Sequence, residues 1–154
     1  DNETVKEEIR YLNGKVLIQG KDFGKDELEI VTDKKPTEAE IKDLLFAQKV
    51  VKYVKSNAIV VAKDMQTLGC GAGQQSRIWA LESIKDHFKD RDFTGAVMGS
   101  DAFFPFPDTV ELAHKMGISS IIQPGGSIKD QDSIDKCNEY GMSMVFGKSR
   151  HFKH

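Results

Sequence analysis

Three phenylalanines and two prolines occupy consecutive positions inside the stretch Ser100–Asp108, which reads Ser-Asp-Ala-Phe-Phe-Pro-Phe-Pro-Asp. Each proline fixes its own φ and pushes the residue before it towards extended geometry, so a stiff aromatic loop is predicted. Rings held this way offer flat faces to a heterocycle at little ordering cost. The competing role is a hydrophobic plug that closes one end of a core. A second chemical stretch is Gly69-Cys70-Gly71-Ala72-Gly73-Gln74-Gln75-Ser76-Arg77. Its glycines let a backbone approach a ligand closely, or simply make a tight strand-to-helix turn. It lacks the Gly-Lys-Ser/Thr ending of a phosphate loop, and its glycine spacing does not match the dinucleotide fingerprint. Pro124-Gly125-Gly126-Ser127 and the basic tail Lys148–His154 complete the set. Aromatic faces, a guanidinium, backbone amides at two helix N-termini and small polar groups together suit a planar, anionic small molecule.

The acid–base inventory is thin. His87 and His114 fall on predicted helices and read as surface or capping residues, while His151 and His154 in the tail can neutralise a phosphate or carboxylate. No Ser-His-Asp order is present. The zinc-deaminase signature, His-x-Glu with Pro-Cys-x-x-Cys, is absent, which argues against zinc-activated water.

These groups need elements to hold them. Lys15–Gln19 reads as a first strand, and Glu29–Thr32 as a possible short one. Glu7–Tyr11 reads as a turn of helix. Thr37–Lys55 is the clearest helix: Thr37 and Glu40 form a capping box, and Ile41, Leu44, Leu45, Val51 and Val54 recur on one face. Lys42, Lys49, Lys52 and Lys55 read as its solvated face. Ala58–Lys63 and Gln66–Cys70 predict an antiparallel hairpin around Asp64-Met65, followed by a helix over Ser76–Asp90. Ala96–Gly99, Ser119–Gln123 and Met142–Phe146 are apolar runs expected as parallel strands. They alternate with helices over Asp108–Met116, with Asp108 as N-cap, and Asp130–Tyr140, each stopped by a glycine. The expected fold is α/β, a three-layer sandwich around a mixed sheet of about five strands. The aromatic loop, Pro124–Lys129 and the tail then share the carboxyl edge of that sheet, where ligands sit in open α/β sheets.

At 154 residues the chain is long enough for one domain with a real core. A 39% hydrophobic, 30% charged composition is that of an ordinary folded domain, and a net charge of −2 disfavours a sequence-independent grip on nucleic acid. No apolar run approaches membrane-spanning length, and no signal peptide is visible. Cys70 and Cys137 form no CxxC pair and read as free thiols of a reducing cytosol, so a cytoplasmic location is expected. Residue 1 is Asp, which suggests a processed chain or a piece of something longer.

Five motifs occur in order: Ser56-Asn57, Gly71–Arg77, Ser100–Phe106, Gln123–Ser127 and Arg150–His154. Together they resemble the C-terminal end of the bifunctional aminoimidazole-carboxamide-ribonucleotide (AICAR) formyltransferase/IMP cyclohydrolase family of purine biosynthesis. The likeness is strongest from Ser56 onward and weak before Thr37. It implies a cytidine-deaminase-like fold without zinc, residues 1–36 as a connecting segment with one or two strands, and residues 37–154 as a C-terminal formyltransferase subdomain. It implies transfer of a formyl group from 10-formyltetrahydrofolate to the 5-amino group of AICAR, with no metal required. Asn57, Phe103 and Arg150 would contact AICAR; Arg77, Ile78, Asp108, Ser127 and Ile128 would contact the folate. Phe103 suits packing on the imidazole, Arg150 supplies fixed charge, and Asp108 suits the amino-pterin edge. Asn57 suits the carboxamide or the developing formyl oxygen. Each has a plainer role too: Asp108 a helix cap, Asn57 and Ser127 turn residues, Arg150 a solvated tail charge.

The chain departs from the family pattern at three places. Pro107 stands where an arginine is common, Gln48 replaces a usual tryptophan, and Phe146-Gly147-Lys148-Ser149-Arg150 is longer than the usual approach to the arginine. The family's general base is a histidine in a Lys-His motif of the preceding half. Here Lys-His occurs only as the terminal Lys153-His154. The resemblance therefore implies a fragment without the cyclohydrolase domain, inactive alone and completed by the missing N-terminal half, with a homodimer in the full-length protein. The alternative from another class is a non-catalytic module that binds folate or a purine ribonucleotide. A general deaminase is disfavoured.

Overall fold

The computed structural model describes residues 7–20 and 24–147. One eight-stranded sheet runs in the order β1-β2-β3-β8-β7-β6-β4-β5. Its strands are β1 (Glu8–Leu12), β2 (Lys15–Gly20), β3 (Gly24–Ile30), β4 (Ile59–Lys63), β5 (Gln66–Gly71), β6 (Val97–Ser100), β7 (Ser120–Gln123) and β8 (Ser143–Phe146). The helices are α1 (Glu38–Val51), α2 (Arg77–His87), α3 (Asp108–Met116) and α4 (Asp130–Tyr140). The β6-β7-β8 pairings are parallel, and the β4–β5 hairpin joins them antiparallel through β4 and β6.

The sheet is mixed, as expected, but has eight strands rather than about five. Residues before Pro36 supply three strands rather than one or two. Glu8–Leu12 is a strand and not a helical turn: it alternates exposed and half-buried side chains and pairs in register with β2. β3 begins earlier than expected, at Gly24, and ends at Ile30. α1 ends at Val51, and α2 at His87.

Alternation along the central strands builds two cores on opposite faces. Ile59, Val61, Met98, Ile121 and Met144 face one way and belong to a cluster with Ala80, Leu81, Ile84, Val110, Ala113 and Cys137 of α2, α3 and α4. Val60, Ala62, Val97, Ile122 and Val145 face the other way, with Ile41, Leu44, Leu45, Ala47 and Val51 of α1. The meander β1–β3 adds Val16, Ile18 and Leu28 to this second cluster, so α1 spans both parts of the sheet. The capping box at the start of α1 is present: Thr37 Oγ accepts from Glu40 N, and Glu40 Oε1 accepts from Thr37 N. Burial raises the Cys137 thiol to about 12.

The hairpin turn depends on a side chain from α1. Asp64 and Met65 both sit at positive φ, 54° and 61°, which L-residues adopt at a cost. The buried Asp43 carboxylate accepts from Asp64 N at 3.1 Å and from Met65 N at 2.8 Å. Asp43→Ala is expected to cost about 2 kcal/mol, since it strips a charged acceptor from two turn amides. Adding Met65→Gly should recover about 1 kcal/mol of that by relieving the left-handed backbone. Urea unfolding of parent, single and double variants reads both numbers; an Asp43→Ala midpoint equal to the parent's would show that the turn holds itself.

Candidate functional site

The parallel strands β6, β7 and β8 end together, and a cleft of about 450 Å³ opens there. Ser100 and Asp101 reach it from the end of β6, Ile122, Gln123 and Pro124 from β7, and Gly147 from β8. Because β4 runs antiparallel to β6, its beginning lies at the same edge, which brings Ser56 to the cleft wall. Gln48, Val51, Lys52 and Val54 from the end of α1 close the other side. Gln48 Nε2 donates to Gly147 O at 3.0 Å. A Cβ on Gly147 would collide with that same Gln48 amide and with Ile122.

The aromatic loop divides between both of its candidate roles. Phe104 is fully buried in the core, while Phe103 is 39% exposed and Phe106 is 60% exposed. Pro107, not Asp108, occupies the N-cap position of α3, and no side chain caps that helix. Asp108 is instead the first helical residue, because Pro107 supplies a φ of −77° that leads directly into the helix.

Asn57 is tied to the glycine-rich turn. Its Nδ2 donates to Gln74 O at 2.9 Å, and the two backbones exchange a pair of hydrogen bonds. The Ser56-Asn57 peptide is cis. At the end of β5, Gly71 packs closely on a helix: a Cβ there would run into the Ala80 carbonyl of α2. Gly73 takes the turn itself, at φ +67°.

Arg77, the first residue of α2, donates from Nε at 3.2 Å and Nη2 at 3.0 Å to Asp101 Oδ1. The same oxygen accepts from Ala58 N at 3.2 Å, and Asp101 N donates to Ala58 O. Ile78 is half-buried beside Arg77. At the opposite loop, Ser127 Oγ accepts from Lys129 N, a turn role, and Ile128 is 98% exposed. Asp130 Oδ2 accepts from Gly126 N at 2.8 Å and Ser127 N at 3.2 Å. Of the loops that lead into the two helix N-termini, the one before α4 already has its Gly126 and Ser127 amides taken by the Asp130 carboxylate. Arg150, His151 and His154 lie outside the described residues.

The two remaining histidines are packed on neighbouring rings: His114 stacks on Tyr140 at 4.1 Å between α3 and α4, and His87 meets Phe88 edge-on at 4.8 Å. Among the described residues, no group of three or more His, Cys, Asp or Glu side chains is gathered as metal ligands, and no helix is long and apolar enough to cross a membrane. A separate groove of about 380 Å³ lies on the meander, lined by Glu8, Arg10, Lys25 and neighbours, and none of the described motif residues lines it.

Ser56, Gln48, Asp101 and Gln123 line the cleft without having been assigned roles from the sequence. The readable signal for Asp101 and Gln123 was position: each closes or follows a predicted strand at its carboxyl end.

The class is therefore an α/β open-sheet domain with a cleft of mixed apolar and polar lining at the carboxyl ends of its parallel strands. The family model for the AICARFT/IMPCHase bienzyme matches residues 1–86. The chain is 57% identical over 148 residues to the bifunctional purine biosynthesis protein PurH of Clostridioides difficile (strain 630), covering 96% of this chain and 29% of that protein. It is 58% identical over 149 residues to PurH of Oceanobacillus iheyensis, covering 95% and 29%. PurH of Fusobacterium nucleatum is 54% identical over 151 residues, covering 97% and 30%. This chain belongs to the AICARFT/IMPCHase bienzyme family, and it spans about three-tenths of the length of these relatives. Among solved structures, a diaminohydroxyphosphoribosylaminopyrimidine deaminase/5-amino-6-(5-phosphoribosylamino)uracil reductase from Thermotoga maritima aligns with a TM-score of 0.45 at 20% identity, covering 70% of this chain and 35% of that one.

Proposed function

We propose that this chain is the C-terminal half-domain of AICAR formyltransferase, with a cytidine-deaminase-like fold that works without zinc. Residues 37–154 carry the formyltransferase motifs, and residues 1–36, which supply β1–β3 of the same sheet, lead in from the rest of the protein. The cyclohydrolase domain and the Lys-His half belong to the remainder of the polypeptide, and the complete protein pairs as a homodimer in the cytoplasm. The observation that carries this reading is the cleft: three motifs far apart in sequence, at Ser56, Ser100-Asp101 and Gln123-Pro124, contribute to one ligand-sized hollow.

In the reaction, the 5-amino group of AICAR attacks the formyl carbon of 10-formyltetrahydrofolate. A C–N bond forms, the amine loses a proton, and the folate N10 leaves with a proton in its place. An arylamine is a weak nucleophile, so a base must take its proton as the tetrahedral intermediate forms. Asn57 orients the AICAR carboxamide NH2 through its side-chain oxygen, and its second Nδ2 proton, the one not given to Gln74 O, is the donor that suits the formyl oxygen. Phe103 is exposed enough to pack on the imidazole, and Arg150 holds the phosphate. Arg77, Ile78, Asp108, Ser127 and Ile128 form the folate side, with Asp108 accepting from the amino-pterin edge.

The test is calorimetric titration of the chain with AICAR and with a folate, beside a formyl-transfer assay. AICAR binding is expected, weakened about tenfold in Phe103→Ala by loss of one stacking face. No formyl transfer is expected from the chain alone. Transfer by the isolated chain would overturn the half-site; failure to bind either ligand would overturn the reading as a whole. Binding of both with no recovery of transfer when the remaining half is supplied would favour the non-catalytic module instead.

A further inference from the structure

We infer that Asp101 is a positioning residue that sets the guanidinium of Arg77 for the ligand. This rests on the proposed reading of Arg77 as a folate contact. One carboxylate oxygen, Asp101 Oδ1, gathers three donors: Arg77 Nε at 3.2 Å, Arg77 Nη2 at 3.0 Å and Ala58 N at 3.2 Å. Both side chains are largely shielded, at 17% exposure for Arg77 and 13% for Asp101. A guanidinium carries five N–H donors in a planar fork. Asp101 takes the edge formed by Nε and Nη2, which leaves the end-on edge, Nη1 with the outer Nη2 proton, directed away from it.

Two consequences follow from that geometry. The arginine plane is fixed before any ligand arrives, so the rotamer cost of ordering a long side chain is already met by the fold. The fixed edge also has a defined chemistry: paired N–H donors that suit a carbonyl or carboxylate oxygen. Asp101 further ties this edge to the other half of the site. It follows β6 directly, lines the cleft, and exchanges backbone and side-chain hydrogen bonds with Ala58, the residue after Asn57. The aromatic loop, the α2 N-terminus and the Asn57 turn therefore meet on a single carboxylate.

The test uses the full chain in parent form and as Asp101→Ala, Asp101→Asn, Arg77→Ala and Asp101→Ala/Arg77→Ala. Two measurements are made: the Arg77 Nε–H resonance without ligand, and affinity for 5-formyltetrahydrofolate by calorimetry. In the parent the Nε–H should be protected from exchange, and in Asp101→Ala the protection should be lost. Asp101→Ala and Arg77→Ala should each weaken folate binding about tenfold, and the double variant should be no weaker than the poorer single within about threefold. Asp101→Asn, which keeps shape and one acceptor, should lie between parent and Asp101→Ala and covers the case in which alanine unfolds the loop. Additive losses near a hundredfold, or an Nε–H signal indifferent to Asp101, would overturn the proposal. A parent that binds no folate while its Nε–H responds to Asp101 would remove the folate reading of Arg77, and the proposal with it.

Discussion

Phe104→Ala is expected to destabilise the chain by about 3–5 kcal/mol, while Phe103→Ala, one residue away, changes stability by less than about 1 kcal/mol. Phe104 is fully buried and belongs to the cluster that joins α2 and α3 to the sheet. Truncating it removes the transfer energy of a whole ring and leaves a void in the cluster that it shares with Met98, Val110 and Ala113. Phe103 is 39% exposed, and its ring is held at the surface by its neighbour's burial. Since small domains are stable by about 5–15 kcal/mol, the Phe104 variant should be close to the edge of folding at 37 °C. Equilibrium unfolding in urea separates the two variants in one experiment. Equal midpoints would mean that the loop is not anchored as described, and that Phe103 cannot be probed as an independent ligand contact.

Gly71→Ala should lower stability by about 2–3 kcal/mol, more than Gly69→Ala at the same strand. The added methyl at Gly71 meets the Ala80 carbonyl and carbonyl carbon, backbone of α2 that cannot swing aside. At Gly69 the first atom met is the Cγ2 methyl of Ile84, a buried β-branched side chain of α2, but it is met at a longer distance than the Ala80 oxygen at Gly71, so less has to give. Because the turn after Gly71 carries Gln74, which holds Asn57, the Gly71 variant should also loosen the proposed AICAR binding where Gly69→Ala does not. Thermal melts of the two variants give the order of stability. A Gly69→Ala that proves the worse of the pair would show that α2, and not the strand, yields.

Where local chemistry decided the structure, the sequence was readable. The Thr37–Glu40 capping box, the Gly117 and Gly141 stops and the alternation of helices with apolar runs all speak for themselves within a few residues. The strand β1 did not, because its charged, half-exposed side chains bury too little to mark a period. Its place is set by pairing with β2, which is a tertiary fact. The cleft was legible as a sheet edge, but the spending of polar groups inside it was not. Nothing in Gly125-Gly126-Ser127 announces that Asp130 already occupies the amides, or that Asp101 will collect Arg77 and Ala58. Those partnerships follow from three-dimensional proximity, and they decide which donors remain for a ligand.

The position of β8 has a consequence for how the chain is made. It is the one described strand that joins the N-terminal meander to the parallel body, pairing with β3 on one side and β7 on the other. Residue 30 meets its partner at residue 145, so that seam closes only after nearly the whole described chain exists. A nascent polypeptide leaving the ribosome must therefore carry two bare strand edges until β8 emerges. Stalling shortly before Ser143 should give a product sensitive to proteases and prone to self-association, whereas synthesis of β8 lets the meander and the parallel strands zip together in one late step.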